Sequence, residues 1–490
     1  MKKFKIGLIC AAAVLLMAAI ITGCGPQAAQ GGEDVIWYFM ADSTNANNEE
    51  VYAKANEYIN EKLGFSVSFN PVDNAAYEQK MKVIMSSGDN YDICWTSNWR
   101  NNYAQNVSNG AFMELDDLLK KTPKLVDSMN EGIWNAAKVN GKIYGVPCQQ
   151  IMARSTGAYI PKEYEAKFDE LVGTEKLTKY SQLTPYVEWL GQQNPGQAWI
   201  QLFWQDNAYM YNIDPVLGVK VPGAVRLEGD DKITVFNQFE SDEWIDCITT
   251  MRKWYESGAT LQGKTNQTKA SYMPYERPMD ISTWTPNGAA DRTKSMKFET
   301  AGKQLSDSYL TTGGVTSTLQ AINVNSTNAE NAIKFLELLN TEPTVINYLA
   351  WGIEGVHYEK VTENTVHSYT KDEHEAKGTT GYGIAAWQFG NVFNGYAQEG
   401  NPDDIWVQTK AVNDGAKQSP ILGFSADMEP IKTEMNNCSS IVTEYMDKMN
   451  EGLADPIATN NEMLDKLKKA GVDKIIEELQ RQIDEWVKIK

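Results

Sequence analysis

Val35-Ile36-Trp37-Tyr38-Phe39, Phe65-Ser66-Val67-Ser68-Phe69 and Tyr91-Asp92-Ile93-Cys94-Trp95 decide the fold class of this chain. The first is a short apolar run of strand-forming residues, the second alternates with a period of two, and the third reads as another strand. Between the first two lies a polar turn at residues 41–48, followed from Glu49 by Val51, Ala55, Tyr58, Ile59 and Leu63 at helical spacing. Residues 77–86 supply a second helix. Strand, helix, strand, helix, strand predicts an α/β body built on a parallel sheet with right-handed crossovers. Such sheets bind ligands at the carboxyl ends of their strands. Two places follow: Asp42, after the first strand, and Trp95-Thr96-Ser97-Asn98-Trp99-Arg100, at the end of the third.

Upstream of this body the sequence carries an address. Lys2, Lys3 and Lys5 precede an apolar run of 16 residues, 6–21, shorter than the roughly 20 residues that span a bilayer as a helix. It ends in Ile21-Thr22-Gly23-Cys24, which resembles a bacterial lipobox, with isoleucine in place of the usual leucine three before the cysteine. Residues 1–23 are therefore expected to be a lipoprotein signal peptide and Cys24 the lipidated N-terminus, anchored to the outer face of a bacterial membrane. Residues 24–33 have the composition of a short flexible tether.

The chain has 490 residues, 45 lysines and arginines, 64 aspartates and glutamates, and a formal charge of −19; losing the three signal-peptide lysines takes it to −22. This balance argues against a nucleic-acid binder, which needs a basic surplus. Hydrophobic residues at 42% and charged residues at 22% describe a globular body of two or three domains. With three histidines, His357, His367 and His374, and with Cys94, Cys148, Cys247 and Cys438 scattered without CxxC spacing, no metal site and no cofactor is implied. GxSxG, Walker, HExxH and DxDxDG motifs are absent, and no acidic pair stands out as a glycosidase dyad. No enzyme is expected. The count that stands out is 14 tryptophans.

Further along, Thr327 and Glu330 predict a capping box before Ala332, Ile333, Leu336 and Leu339. Val472, Ile475, Ile476, Leu479, Ile483, Trp486 and Val487 form one helical stripe expected to pack on a domain. Several segments then resemble a family. Residues 110–118 (GAFMELDDL), 140–147 (NGKIYGVP), 158–163 (AYIPKE) and 325–339 (NSTNAENAIKFLELL) are similar, in order, to segments of extracellular solute-binding proteins. These are the receptors of ABC importers, here of the sugar-binding type related to maltodextrin-binding proteins. Residues 351–358, 389–391, 419–424, 470–474 and 480–486 resemble the LipO-like lipoproteins of Gram-positive bacteria, which carry a distinctive C-terminal domain.

The resemblance implies a two-lobed periplasmic-binding-protein-like α/β fold with a hinge between the lobes. Lobe 1 is expected at 34–149 plus 313–349, and lobe 2 at 150–312 plus 350–490. It also implies a monomeric receptor that takes a small solute, expected to be an oligosaccharide, and passes it to the transmembrane subunits of an ABC permease. A receptor for a peptide or another non-sugar solute is the alternative, and a surface glycoside hydrolase a weaker one. Sugar rings present an apolar C–H face and a hydroxyl rim, so their sites need flat aromatics with planar polar partners. The candidates are Asp42, Trp95, Asn98, Trp99 and Arg100 in the first lobe, and Gln149, Gln150 and Arg154 at the crossover. In the second lobe they are Trp199, Trp284 on a strand similar to the one that delivers a stacking tryptophan in maltodextrin-type receptors, and Trp387 with Asn391 after Gly381-Tyr382-Gly383. Trp134, Trp244, Trp254 and Trp486 lie in helical patterns and are expected in the core.

Overall fold

A computed structural model describes residues 34–193, 208–259, 279–296 and 298–488. Trp199, Cys24, the signal peptide and the tether lie outside the described residues. The three opening strands form as Val35–Met40, Val67–Val72 and Ile93–Thr96, and the helices between them as Asn48–Leu63 and Tyr77–Ser87. Val51, Ala55 and Ile59 of the first helix face inward, and Gly64, at φ 78°, ends it.

The first sheet has five strands in the order Val67–Val72, Val35–Met40, Ile93–Thr96, Leu319–Ile322, Gly145–Pro147. The three opening strands are parallel, as their connections dictate, but Leu319–Ile322 is antiparallel to both neighbours. The reversal has a topological cause: the chain leaves this lobe after Pro147 and re-enters it on the Leu319–Ile322 strand. Trp37 sits at the centre, fully buried, with ring centroids 4.7 to 5.9 Å from Phe39, Phe69, Phe335 and Phe389. Its indole N–H donates to Gln320 Oε1 at 2.9 Å, and Gln320 Nε2 donates to the Gln388 carbonyl at 2.7 Å, so the polar edge of the ring is satisfied inside the core.

The second lobe is built on Thr156–Pro161, flanked antiparallel by Asp280–Thr283 and Thr300–Gln304. Its core joins Glu165–Val172, Thr184–Gln193 and Asp242–Glu256 to three C-terminal helices, Lys432–Asn450, Pro456–Ala470 and Val472–Val487. Trp244 Nε1 donates to Asn460 Oδ1 at 2.8 Å and Asn460 Nδ2 to the Phe239 carbonyl at 3.1 Å, pinning the C-terminal helices to the lobe. Trp244 and Trp254 are fully buried. On the last helix Val472, Ile475, Leu479 and Ile483 are buried as the stripe predicts, whereas Val487 is exposed.

Two expectations need correction. The Thr327–Glu330 capping box does not form: the helix runs Ala329–Thr341 with Asn328 at its N-cap, and Glu330 instead pairs with Lys121 at 2.5 Å. The stretch after residue 350 does not go wholly with the second lobe. Phe389 and Val392 lie in the first core, Trp387, Phe393 and Trp406 pack against it, and Asn47 Nδ2 donates to Thr380 Oγ1 at 2.8 Å. Burial of Phe389 against Trp37 draws this segment to the first lobe; only from Ile421 on do buried apolar residues mostly join the second core.

Three segments cross between the lobes side by side. Arg154 and Tyr309 exchange backbone hydrogen bonds at 2.7 and 2.8 Å, and Tyr309–Leu310 pairs in parallel with Lys417–Gln418. Gly314 passes so close to the first crossing that a Cβ there would lie 2.3 Å from the Met152 carbonyl oxygen, so only glycine fits. Asn413, buried at the end of the helix Ile405–Asp414, fastens this floor. Its Oδ1 accepts from the Met152 and Ala153 amides at 2.9 and 3.0 Å, and its Nδ2 donates to the Gln150 carbonyl at 2.6 Å. Asn413→Ala strands these buried backbone groups and is expected to cost about 2–3 kcal/mol, read as a lowered urea midpoint. An unchanged midpoint would show that water replaces the amide without loss.

Candidate functional site: the cleft between the lobes

A cleft of about 560 Å³ opens above this floor, within the size range of small-molecule sites. Asn98, Trp99, Tyr103 and Lys138 line it from the first lobe; Tyr209, Asp214, residues 215–219 and Thr283 line it from the second. Its floor is Arg154, Thr312, Gly313, Thr316 and Ser317, and Ile421, Phe424, Ser425, Ala426 and Met428 close one side.

The aromatic part is a pedestal. Trp95 is the last but one residue of its strand and fully buried, its indole N–H donating to Thr318 Oγ1 at 2.8 Å. Trp99 and Trp387 stand against it, with centroids 5.3 and 6.1 Å away and 6.3 Å from each other. Trp99 leaves 51% of its surface open, while its indole N–H is tied to the Ser317 carbonyl at 3.0 Å and the Arg100 guanidinium lies 5.1 Å over its ring. A large aromatic held at its edge and open on its surface is a platform. Asn98 is positioned by bonds from its backbone N–H to the Thr316 carbonyl at 2.9 Å and from Nδ2 to the Gly313 carbonyl at 2.8 Å.

The structure thus brings Asn98, Trp99 and Arg154 to one cleft, with Trp387 beside Trp99 and Gln150 beside the floor through Ser317 Oγ at 3.5 Å. Other candidates are placed elsewhere. Trp95 is the base of the pedestal and has no exposed surface. Arg100 spends Nη1 on the Asn74 carbonyl at 2.8 Å. Exposed Asp42 caps its own turn, accepting from Thr44 N and Oγ1, both at 2.8 Å, which holds its carboxyl below the usual range. Gln149 is buried and bonds Ser128 and Asn340, and Asn391 is buried and bonds the Asn340 carbonyl, so both fasten the crossing to the first lobe. Trp284 is half-buried over Gly157, where a Cβ would lie 2.7 Å from its own Cβ; its neighbour Thr283 reaches the cleft.

Lys138, Asp214 and residues 215–219 were not foreseen. Asp214 sits in a short hairpin strand, Ile213–Pro215, whose local sequence has no distinguishing spacing. It is 5% exposed, and burial pushes its carboxyl up to about 6, against the hydrogen bond that Ser419 Oγ donates to Oδ2 at 2.6 Å. Burial likewise pushes the Cys148 thiol, behind the floor, up to about 12. Among the described residues no set of three or more His, Cys, Asp or Glu is arranged for a metal ion. His357 is buried with Nδ1 accepting from the Ile353 amide, and His367 lies between Glu373 and Glu399.

Two α/β lobes, three crossings and a walled cleft between them define a solute-binding protein of the hinged, two-lobed kind. The chain belongs to the family described as bacterial extracellular solute-binding proteins, which it matches over residues 41–345; residues 420–488 match a domain of unknown function. A carbohydrate ABC transporter substrate-binding protein of Streptococcus pneumoniae is 29% identical over the whole length of both chains. Lipoprotein LipO of Bacillus subtilis is 22% identical over about half of each. Among solved structures, the N-glycan transport solute-binding protein of Streptococcus pneumoniae superposes with a TM-score of 0.78 at 26% identity, covering 93% of this chain and 99% of that one. The same protein in complex with Man5GlcNAc gives 0.72.

Asp214 makes stability depend on pH. Its folded-state pKa lies above the unfolded 3.8, so its contribution is full below pH 3.8 and is lost as pH rises through about 6. The size is roughly 3 kcal/mol. Asp214→Asn is expected to flatten thermal stability between pH 4 and 6; a wild-type slope in the variant would place that proton uptake on another group.

Proposed function

We propose that this protein is a lipid-anchored extracellular receptor that captures an oligosaccharide in the interlobe cleft and delivers it to an ABC permease. The observation that carries the sugar reading is Trp99, a half-exposed indole set beside a buried tryptophan in the cleft, with the Asn98 amide and the Arg154 guanidinium on the same walls. A pyranose would stack its C–H face on Trp99 and offer its hydroxyl rim to these planar groups. The carbohydrate and N-glycan receptors to which the chain is similar support the same reading.

Solute bound to both walls favours the closed arrangement, which the permease would read. Cys24 would hold the body at the outer membrane face through its lipid, with residues 25–33 as the leash. We read the protein as a receptor that leaves its solute intact. Glycoside cleavage uses two carboxylates flanking the bond, and the described cleft wall supplies one, Asp214, which faces Ser419.

Titration calorimetry of the protein against oligosaccharides of mannose and N-acetylglucosamine, then a wider glycan panel, tests the reading. Binding is expected, with Trp99→Ala weakening it about tenfold to a hundredfold while the thermal midpoint stays near wild type. Response to peptides but to no glycan would replace the sugar reading, and glycan products on long incubation would replace the receptor reading. Cys24→Ala is expected to move the protein from the membrane fraction to the medium; retention on the membrane would remove the lipid anchor from the proposal.

A further inference from the structure

The cleft carries a charge that a neutral sugar leaves unanswered. Arg100, Arg226, Arg252, Arg292 and Arg481 each spend the guanidinium on a carboxylate or a carbonyl. Arg154, half-buried on the cleft floor, makes no side-chain hydrogen bond or ion pair among the described residues. Its backbone N–H and carbonyl are both bonded to Tyr309, at 2.7 and 2.8 Å, so the side chain enters the cleft from a backbone held on both sides, with its donors unspent. Lys138, half-buried on the first-lobe wall, is similar: Nζ donates to Asn135 Oδ1 at 2.7 Å and meets no carboxylate among the described residues. The one carboxylate of the described wall, Asp214, is 5% exposed and already holds the Ser419 hydroxyl. In a chain with 64 acids against 45 bases, the described cleft walls thus carry two cations, neither of them paired with a carboxylate, against one buried aspartate.

Half-burying a guanidinium without a partner costs free energy that a ligand of opposite charge returns. The planar fork of arginine matches a carboxylate bidentately, and such charge-assisted bonds are the strong ones. We propose that the solute is an acidic glycan, its carboxylate held by Arg154 and its charge further balanced by Lys138. The inference rests on the sugar reading above and narrows it. It also separates this chain from the pneumococcal receptor, whose bound Man5GlcNAc is built of neutral sugars.

The test pairs uronate-bearing and sialylated oligosaccharides with their methyl esters, which keep ring and length and lose the charge. In calorimetry at low and moderate salt, the acidic member of at least one pair is expected to bind tenfold or more tighter than its ester. Arg154→Gln, which keeps hydrogen-bonding capacity without charge, is expected to erase that ratio, and Arg154→Lys to retain part of it. The readout is the acid-to-ester ratio within each variant, so a general loss of sugar contacts through Arg154 lowers both members of a pair and does not mimic a loss of charge recognition. Neutral glycans binding as tightly as acidic ones, or an Arg154→Gln variant that keeps the ratio, would overturn the acidic specificity and leave the sugar reading standing. No response to any glycan of either series would overturn both.

Discussion

Each lobe buries its own apolar residues, so the geometry between the lobes depends on the polar floor where the three crossings meet. Hydrophobic burial has no direction, and two separate cores cannot by themselves set an angle. Hydrogen bonds can. The Arg154–Tyr309 exchange, the Tyr309–Leu310 pairing with Lys417–Gln418 and the three bonds of Asn413 fix the floor in a single register. Part of the cleft lining is placed from there. Arg154 belongs to the first crossing, Thr312 and Ser317 follow the second, and Ile421 and Phe424 follow the third.

The tryptophans show how one residue type divides its labour. Trp37 organises the first core, Trp244 and Trp254 the second, and each satisfies its indole N–H internally, on Gln320, Asn460 and Thr184. Trp95 lies between core and cleft: buried like the others, it supports Trp99 and Trp387 at the strand's carboxyl end. The exposure of Trp99 costs little there, because the ring stands against Trp95 and Trp387 and its polar edge is bonded to Ser317.

What was legible in the sequence follows from the range of the interaction involved. The three opening strands, the two helices between them and the last amphipathic helix are written in local periodicity, and they form with most of the expected residues inside, although Val487 is exposed and Tyr58 and Leu63 are only partly buried. Trp99, Asn98 and Arg154 were placed by their positions just past a strand end or a crossover, and these are topological facts. Gln149 and Asn391 satisfy the same positional rule yet bond inward, Gln149 to Ser128 and both to Asn340, partners that only the fold brings beside them. Asp42 answers Thr44 two residues on, a turn preference that looks the same in sequence as a ligand-facing carboxylate. Asp214 and Lys138 had no local signature at all; only folding brings the Ile213–Pro215 hairpin opposite the Lys138–Val139 edge.

The C-terminal region gains a physical role from the same contacts. Its helices are not an appendage: Val472, Ile475, Leu479 and Ile483 share the second core with Trp244 and Ile248. Residues 421–428, the start of the domain of unknown function, form one wall of the cleft. Phe424 works on both sides, lining the cleft while packing its ring 5.8 Å from Trp486 of the last helix. The last helix therefore buttresses a surface that a solute would touch. Together with the 384–393 segment, which packs on Trp37 and sets Trp387 beside Trp99, the chain beyond residue 350 supplies part of both lobes' contribution to the site. In the receptor reading proposed above, such an extension would act on solute recognition by shaping the cleft from behind, which is where variation in this region would be felt.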